Sequence, residues 1–130
     1  MKLFLDTASV AAVAPWVPTG LIDGVTTNPT SLSKEQSSIY DIAKGMSALL
    51  PEGDISVQVT EVEPRLVYEQ AHKIADIAEN IIVKIPCDVR YYEVINKLSL
   101  EGVAINITLI FSVAQALMMA KLGVSYVSAF

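Results

Sequence analysis

One cysteine, one histidine and one tryptophan occur in 130 residues. The lone Cys87 excludes an internal disulfide and suits a reducing cytosol; directly after Pro86, it reads as a small, partly buried residue. His72, in EQAHKIAD, has no partner at metal-ligand spacing and reads as part of a solvated helix face. Basic residues are also few. Nine Lys and Arg stand against fourteen Asp and Glu, a net charge of −5, which argues against nucleic acid as a general partner. A small anionic substrate needs only local positive charge, so it is not excluded. No apolar run approaches the ~18 residues of a membrane span, so a membrane is not an expected partner. The opening MKLFLDTAS is too short and too early interrupted, by Asp6, for a signal peptide. Low-complexity tracts, charge blocks and linkers are absent, and residues 1–130 read as one domain. Neither GxGxxG nor GxxxxGK[ST] occurs.

What the chain does have is apolar material in short pieces, 52% of residues, with a mean hydropathy of +0.47. Strand-like runs cover Lys2–Thr7, Gly24–Asn28, Ile55–Thr60, Ile81–Pro86, Ala104–Ile110 and Tyr126–Phe130. Helical patterns fill the gaps at Val10–Trp16, Ile39–Leu50, Glu63–Ala78, Val89–Glu101 and Ser112–Leu122. Gly20, Gly53, Gly102 and Gly123 stand where left-handed helix caps are expected. Met118 and Met119 read as core fillers, and Trp16 with Pro15 and Pro18 as helix punctuation and packing. Continuous apolar strands alternating with helices predict an α/β fold with a parallel sheet. An open doubly wound sheet would usually carry a Gly-rich loop after its first strand. Here DTASVAAV follows instead, which favours a barrel.

The polar strand residues are selective. Within a strand, residues two apart share a face, so Asn28 lies with Thr26, Gln58 with Ser56 and Thr60, and Thr108 with Asn106. Asp6, Lys84 and Ser128 also fall at even positions, but numbering alone cannot carry a face from one strand to the next. In a barrel the helix-facing side is greasy, so the polar side must look inward, toward the mouth at the strand C-termini. Singly, Thr26, Ser56 or Asn106 would serve equally well as an interior polar layer.

Lys84 is different. It sits in IIVKIP, where a surface ion pair is out of reach and an unpaired charge is costly. At the reference pKa of about 10.4, roughly one lysine in 2,500 is neutral at pH 7, and burial raises that fraction. Such a lysine attacks carbonyls and forms Schiff bases. Asp6 could shuttle protons, and Thr108, Asn28 and Ser128 could hold water and sugar hydroxyls. These residues describe a carbonyl-lyase or transferase site without being unique to one.

Taken together, LDTA (5–8), GVTTNPT (24–30), VKIP (83–86), NITLIFS (106–112), QAL (115–117) and YVSAF (126–130) resemble the small transaldolase and fructose-6-phosphate aldolase family, in order and along the whole chain. The resemblance implies a (β/α)₈ TIM barrel with Lys84 as Schiff-base nucleophile and Asp6 as acid/base. It implies that Thr108, with Gln58, serves the catalytic water, and that Asn28, Ser128, Thr26, Asn106 and Phe130 contact the donor sugar. It implies a cytoplasmic enzyme of the pentose phosphate pathway that moves a dihydroxyacetone unit from fructose 6-phosphate or sedoheptulose 7-phosphate. Sugar phosphates would be its partners, with a homo-oligomer in full-length members; no metal or cofactor is expected, since the iminium is the electron sink. Within the family, Gln58 matches the aldolase pattern and Phe130 the transaldolase pattern. Cleavage to dihydroxyacetone and glyceraldehyde 3-phosphate is the alternative activity, and a non-catalytic partial barrel is the alternative class. Six of the family's eight strands are readable, so the expectation is an incomplete barrel. Strands seven and eight and the phosphate-binding arginine would lie beyond Phe130, and the 130-residue chain alone is expected to turn over little. Lys34 and Arg65 read as solvent-exposed.

Overall fold

Val25, Ile55, Val57, Val83, Ile85, Ile105 and Ile107 are all completely buried, and all occupy odd positions of consecutive strands. They form one side of a six-stranded sheet in the computed structural model, which describes residues 1–130. The strands are β1 (Phe4–Asp6), β2 (Gly24–Thr26), β3 (Asp54–Gln58), β4 (Ile81–Pro86), β5 (Ile105–Ile110) and β6 (Tyr126–Ala129). All neighbours are parallel and follow sequence order, β1 to β6. Parallel crossovers share one hand, so an unreversed order places every helix on the same face. A doubly wound sheet reverses its order at a switch point; this sheet has none. The architecture is α/β, a half-barrel of the TIM-barrel type.

The helices cover the odd face. They are α1 (Val10–Val13), α2 (Pro29–Leu32), α3 (Ile39–Leu49), α4 (Pro64–Ala75), α5 (Tyr92–Leu100) and α6 (Val113–Lys121), with 3₁₀ turns at Ala14–Thr19 and Val89–Tyr91. Ile42 and Met46 of α3, Val67, Ala71 and Ile74 of α4, and Ile95 and Leu98 of α5 recur at three- and four-residue spacing. They join the strand residues in one core. No helix is long and apolar enough to cross a membrane.

Several elements end earlier than their sequence pattern. The helix expected through Ala78 stops at Ala75, where Asp76 closes it on the His72 and Ile74 carbonyls. The strand expected through Asn28 stops at Thr26, because Asn28 instead caps α2, a turn the apolar periodicity does not register. Its Oδ1 accepts from the Ser31 amide at 2.8 Å, while Ser31 Oγ accepts from the Asn28 amide at 3.0 Å, a reciprocal capping box. Gly20, Gly102 and Gly123 take left-handed torsions, but Gly53 does not. Gly53 is there for space, since a Cβ would come 2.9 Å from the Asp23 carbonyl. Met119 is buried as expected, whereas Met118 is 44% exposed; α6 meets the sheet along one narrow line, and Met118 falls beside it. Trp16 is also largely exposed. His72 does face outward, but Nε2 lies 2.7 Å from Glu101 Oε2 and ties α4 to the end of α5.

The even face carries the polar strand residues beside apolar Phe4, Ile82 and Pro86, and the register explains why they share it. Asp6 pairs with Thr26, Thr26 with Ser56, Gln58 with Lys84, Lys84 with Asn106, and Asn106 with Tyr126. Each of these pairings joins even to even, as Leu5 with Val25 and Val57 with Val83 join odd to odd, so the shared parity is a property of the sheet. It changes once. Ile107 pairs with Val127 but Ile110 with Ala129, which leaves one extra residue on β5. Leu109 takes the left-handed torsion needed there, φ 59°. The bulge keeps Thr108 inward and swings Ile110 back into the core.

Across the hollow of the sheet, Lys2 Nζ reaches Asp54 Oδ2 at 3.0 Å and Tyr126 Oη at 3.1 Å. Tyr126 also donates a short hydrogen bond to Asp54, and its ring meets Phe4 edge-on with centroids 6.0 Å apart. Side chains of the first, third and sixth strands therefore meet in the interior, as a curled sheet requires.

Candidate active site

Lys84 lies in the middle of β4, only 7% exposed. Its flanking residues Val83 and Ile85 are locked in the core, so alternation turns its side chain inward. Nζ donates to the Thr27 carbonyl at 2.9 Å and to Thr26 Oγ1 at 3.2 Å. An ammonium has three protons, so one donor remains. Burial depresses the Lys84 pKa below its ordinary value, while the Asp6 charge opposes that shift. Desolvation wins because neither hydrogen-bond acceptor carries a charge.

Asp6 ends β1 and is exposed at the mouth. Asn28 Nδ2 donates to its Oδ1 at 3.0 Å. With Oδ1 of Asn28 held by Ser31, this amide is fixed at both ends and keeps one N–H free for a ligand. Pro29 at the first helical position reinforces the turn, because its ring sets φ where no amide donor is needed. The local sequence TTNPTS thus fixes both Asn28 and the two backbone and side-chain oxygens that hold Lys84.

Asp6, Asn28, Lys84 and Phe130 open onto one cavity of about 720 Å³, shared with Thr30, Ser31, Lys34 and Glu35. Thr26, Asn106 and Ser128 instead line a separate cavity of about 180 Å³ beside Tyr126. Asn106 Nδ2 donates to Ser56 Oγ at 3.0 Å, and its Oδ1 accepts from Ser128 Oγ at 2.9 Å. Both polar ends of Asn106 are therefore engaged within the protein. Gln58 and Thr108 are buried on the same face, on either side of Lys84, and line neither cavity. The arrangement brings four of the nine residues singled out above to one opening and sets the other five behind it.

Two contributors carried no signal in the sequence. Thr27, fully buried, supplies the carbonyl under Lys84, and its Oγ1 accepts from the Gln58 amide at 3.0 Å. Its odd position turns it away from the polar face, so only its backbone shows there. Lys34 reaches the mouth because the α2 turn folds the chain back over β2; a solvent-exposed lysine four residues past a TTNPT segment looks like any other.

A nucleophilic amine, a carboxylate and an oriented amide around one opening can form and hydrolyse a Schiff base. No group of His, Cys, Asp and Glu side chains is arranged to hold a metal ion.

A family model described as transaldolase/fructose-6-phosphate aldolase matches residues 3–130. A probable transaldolase of Dehalococcoides mccartyi is 46% identical over 131 residues, covering 100% of this chain and 61% of the relative. A probable transaldolase of Methanococcus maripaludis is 42% identical over 130 residues, covering 100% of this chain and 60% of the relative. Probable transaldolase 2 of Listeria monocytogenes is 41% identical over 130 residues, covering 100% and 59%. The chain thus spans about three-fifths of the length of these curated relatives. Among solved structures, KGPDC from Streptococcus mutans superposes with a TM-score of 0.58 at 14% identity, covering 97% of this chain and 63% of that one. At that identity the likeness concerns the fold alone.

Proposed function

The chain belongs to the transaldolase/fructose-6-phosphate aldolase family, and from that premise we propose that it carries the nucleophile of a Schiff-base enzyme. The enzyme transfers a dihydroxyacetone unit from a ketose phosphate, fructose 6-phosphate or sedoheptulose 7-phosphate, to an aldose phosphate, in the cytoplasm. The observation that carries the reading is Lys84, a buried amine with a depressed pKa, opening onto the same cavity as Asp6 and Asn28.

The neutral Lys84 amine adds to the ketose C2 carbonyl, and the carbinolamine loses its C2 oxygen as water to leave an iminium. The donor's C4 hydroxyl gives up its proton to a base at the mouth, for which Asp6 is the candidate. The C3–C4 bond breaks, its electrons flow into the iminium to form an enamine, and an aldehyde leaves. Enamine carbon then attacks the acceptor aldehyde, the new alkoxide regains the proton, and water releases the product from Lys84. Asn28, fixed by Asp6 and Ser31, is placed to hold a donor hydroxyl. Gln58 and Thr108 flank Lys84 from the neighbouring strands and serve the water of dehydration and hydrolysis. Phe130, at the same opening, completes the donor side, while Thr26, Asn106 and Ser128 support it from the separate cavity behind. Gln58 cannot take a proton, so the acid/base burden falls on Asp6. The relatives' names support transfer over simple cleavage.

Borohydride reduction in the presence of fructose 6-phosphate tests the reading. A covalent adduct on Lys84, absent in Lys84→Arg, is the expected result. Folded protein that gives no adduct at any substrate concentration overturns it. Adding erythrose 4-phosphate then separates transfer, which yields a seven-carbon ketose, from cleavage.

A further inference from the structure

We infer that Thr27 is a positioning residue for Lys84: its hydroxyl takes the Gln58 amide out of the sheet ladder and so releases the Thr27 carbonyl to hold the amine. The inference deepens the proposed function and rests on Lys84 as its nucleophile.

The end of β2 shows the exchange. The Thr27 amide donates to the Ser56 carbonyl at 2.8 Å, as a parallel ladder requires. In a regular ladder the next bond would run from the Gln58 amide back to the Thr27 carbonyl. Here the Gln58 amide donates to Thr27 Oγ1 instead, at 3.0 Å, and the carbonyl accepts from Lys84 Nζ at 2.9 Å. A carbonyl engaged in the ladder lies in the plane of the sheet and points at β3. Freed from it, the same carbonyl can turn toward the interior, where the Lys84 amine lies. Asn28 and Pro29 keep the ladder from resuming, since Asn28 leaves to cap α2 and Pro29 has no amide to give.

Packing does not call for a hydroxyl at this position. Thr27 is fully buried on the helix-facing side of the sheet, where Val25, Val57 and Val59 are apolar, and valine has nearly its shape. What the hydroxyl does is visible at Lys84. A neutral amine has two hydrogens and one lone pair. With the hydrogens taken by the Thr27 carbonyl and by Thr26 Oγ1, the lone pair is left facing the cavity, the direction from which a carbonyl carbon must come. The charged groups at that opening are Asp6 from β1 and Lys34 and Glu35 after α2. The side chains beside Lys84 on β2, β3 and β5, namely Thr26, Gln58 and Asn106, are uncharged.

Thr27→Val, Thr27→Ala and Thr27→Ser in the 130-residue chain test this, with two readouts. Labelling of Lys84 by an amine-directed reagent needs no sugar, and its pH midpoint should fall in the valine variant, because the ammonium loses a fixed acceptor. Borohydride trapping with fructose 6-phosphate should nevertheless slow by about tenfold, because the amine, although more often neutral, is no longer aimed. Thr27→Ser keeps the hydroxyl and should match wild type in both. The inference is overturned if Thr27→Val leaves either readout at its wild-type value, or if Thr27→Ser changes them as much as Thr27→Val does. It is also overturned if Thr27→Val and Thr27→Ala both fail to fold while Thr27→Ser folds, which assigns the hydroxyl to the fold alone. Absence of any adduct on wild type would sink the Schiff-base reading and leave the labelling midpoints to decide the role of Thr27.

Discussion

The Lys84 ammonium on β4 donates to the Thr27 carbonyl beyond the end of β2 at 2.9 Å, across the intervening β3. A flat sheet would hold alternate strands about 10 Å apart, so the bond needs curvature. It also needs only backbone from Thr27, which leaves the Thr27 side chain free to brace Gln58.

Because burial lowers the Lys84 pKa, its amine should become reactive at lower pH than an ordinary lysine. Labelling of Lys84 by an amine-directed reagent, followed by mass spectrometry, should rise with pH to a midpoint below 10.5. Asp6 acts in the opposite direction, raising the pKa, so Asp6→Asn should move the midpoint lower still. A midpoint at or above the ordinary value would contradict the desolvation argument.

Asn106 joins Ser56 to Ser128 through hydrogen bonds at 3.0 and 2.9 Å. Asn106→Ala leaves both hydroxyls without that partner and should cost about 2 kcal/mol, read from urea denaturation. Asn106→Asp should be worse, since it replaces a donor by a buried negative charge. If Asn106→Ala were neutral in stability yet lost sugar binding, the residue would belong to ligand rather than to the fold.

Tyr126 connects β6 to Asp54 and Lys2 across the interior. Tyr126→Phe keeps the contact with Phe4 and removes only the hydroxyl, at an expected cost of about 1 kcal/mol. The effect should shrink in Asp54→Asn protein, because the two residues share one network; a double-mutant cycle measures that coupling.

Leu109 is the chain's one non-glycine residue with positive φ, a torsion that costs about 1–2 kcal/mol. Leu109→Gly should stabilise or be neutral, whereas Leu109→Val should destabilise by more than about 1 kcal/mol. Thermal melts separate the two outcomes.

The α/β class, the parallel sheet and the interior placement of Lys84 are legible in the sequence, because apolar strands alternating with helical patterns need helices over the sheet and alternation turns Lys84 away from them. Periodicity was silent on α2, since a four-residue turn holds too few residues to show a period; there the capping chemistry of Asn28 and Ser31 decides. Seven of the nine singled-out residues, all but Asn28 and Phe130, lie on the sheet's even face, yet a face is not a cavity. Depth along each strand separates Asn106 and Ser128, which satisfy each other, from Asp6 and Asn28, which meet at the opening.

Local chemistry in the sequence determined which residues are polar, which strand carries the amine and which turn holds Asn28. Only tertiary structure decided that even positions of six strands share one side, because inter-strand register depends on how the intervening helices pack. It also decided that Lys84 rests on Thr27 and that Lys34 shares its opening, since both relations join residues about fifty or more apart whose meeting no local pattern encodes.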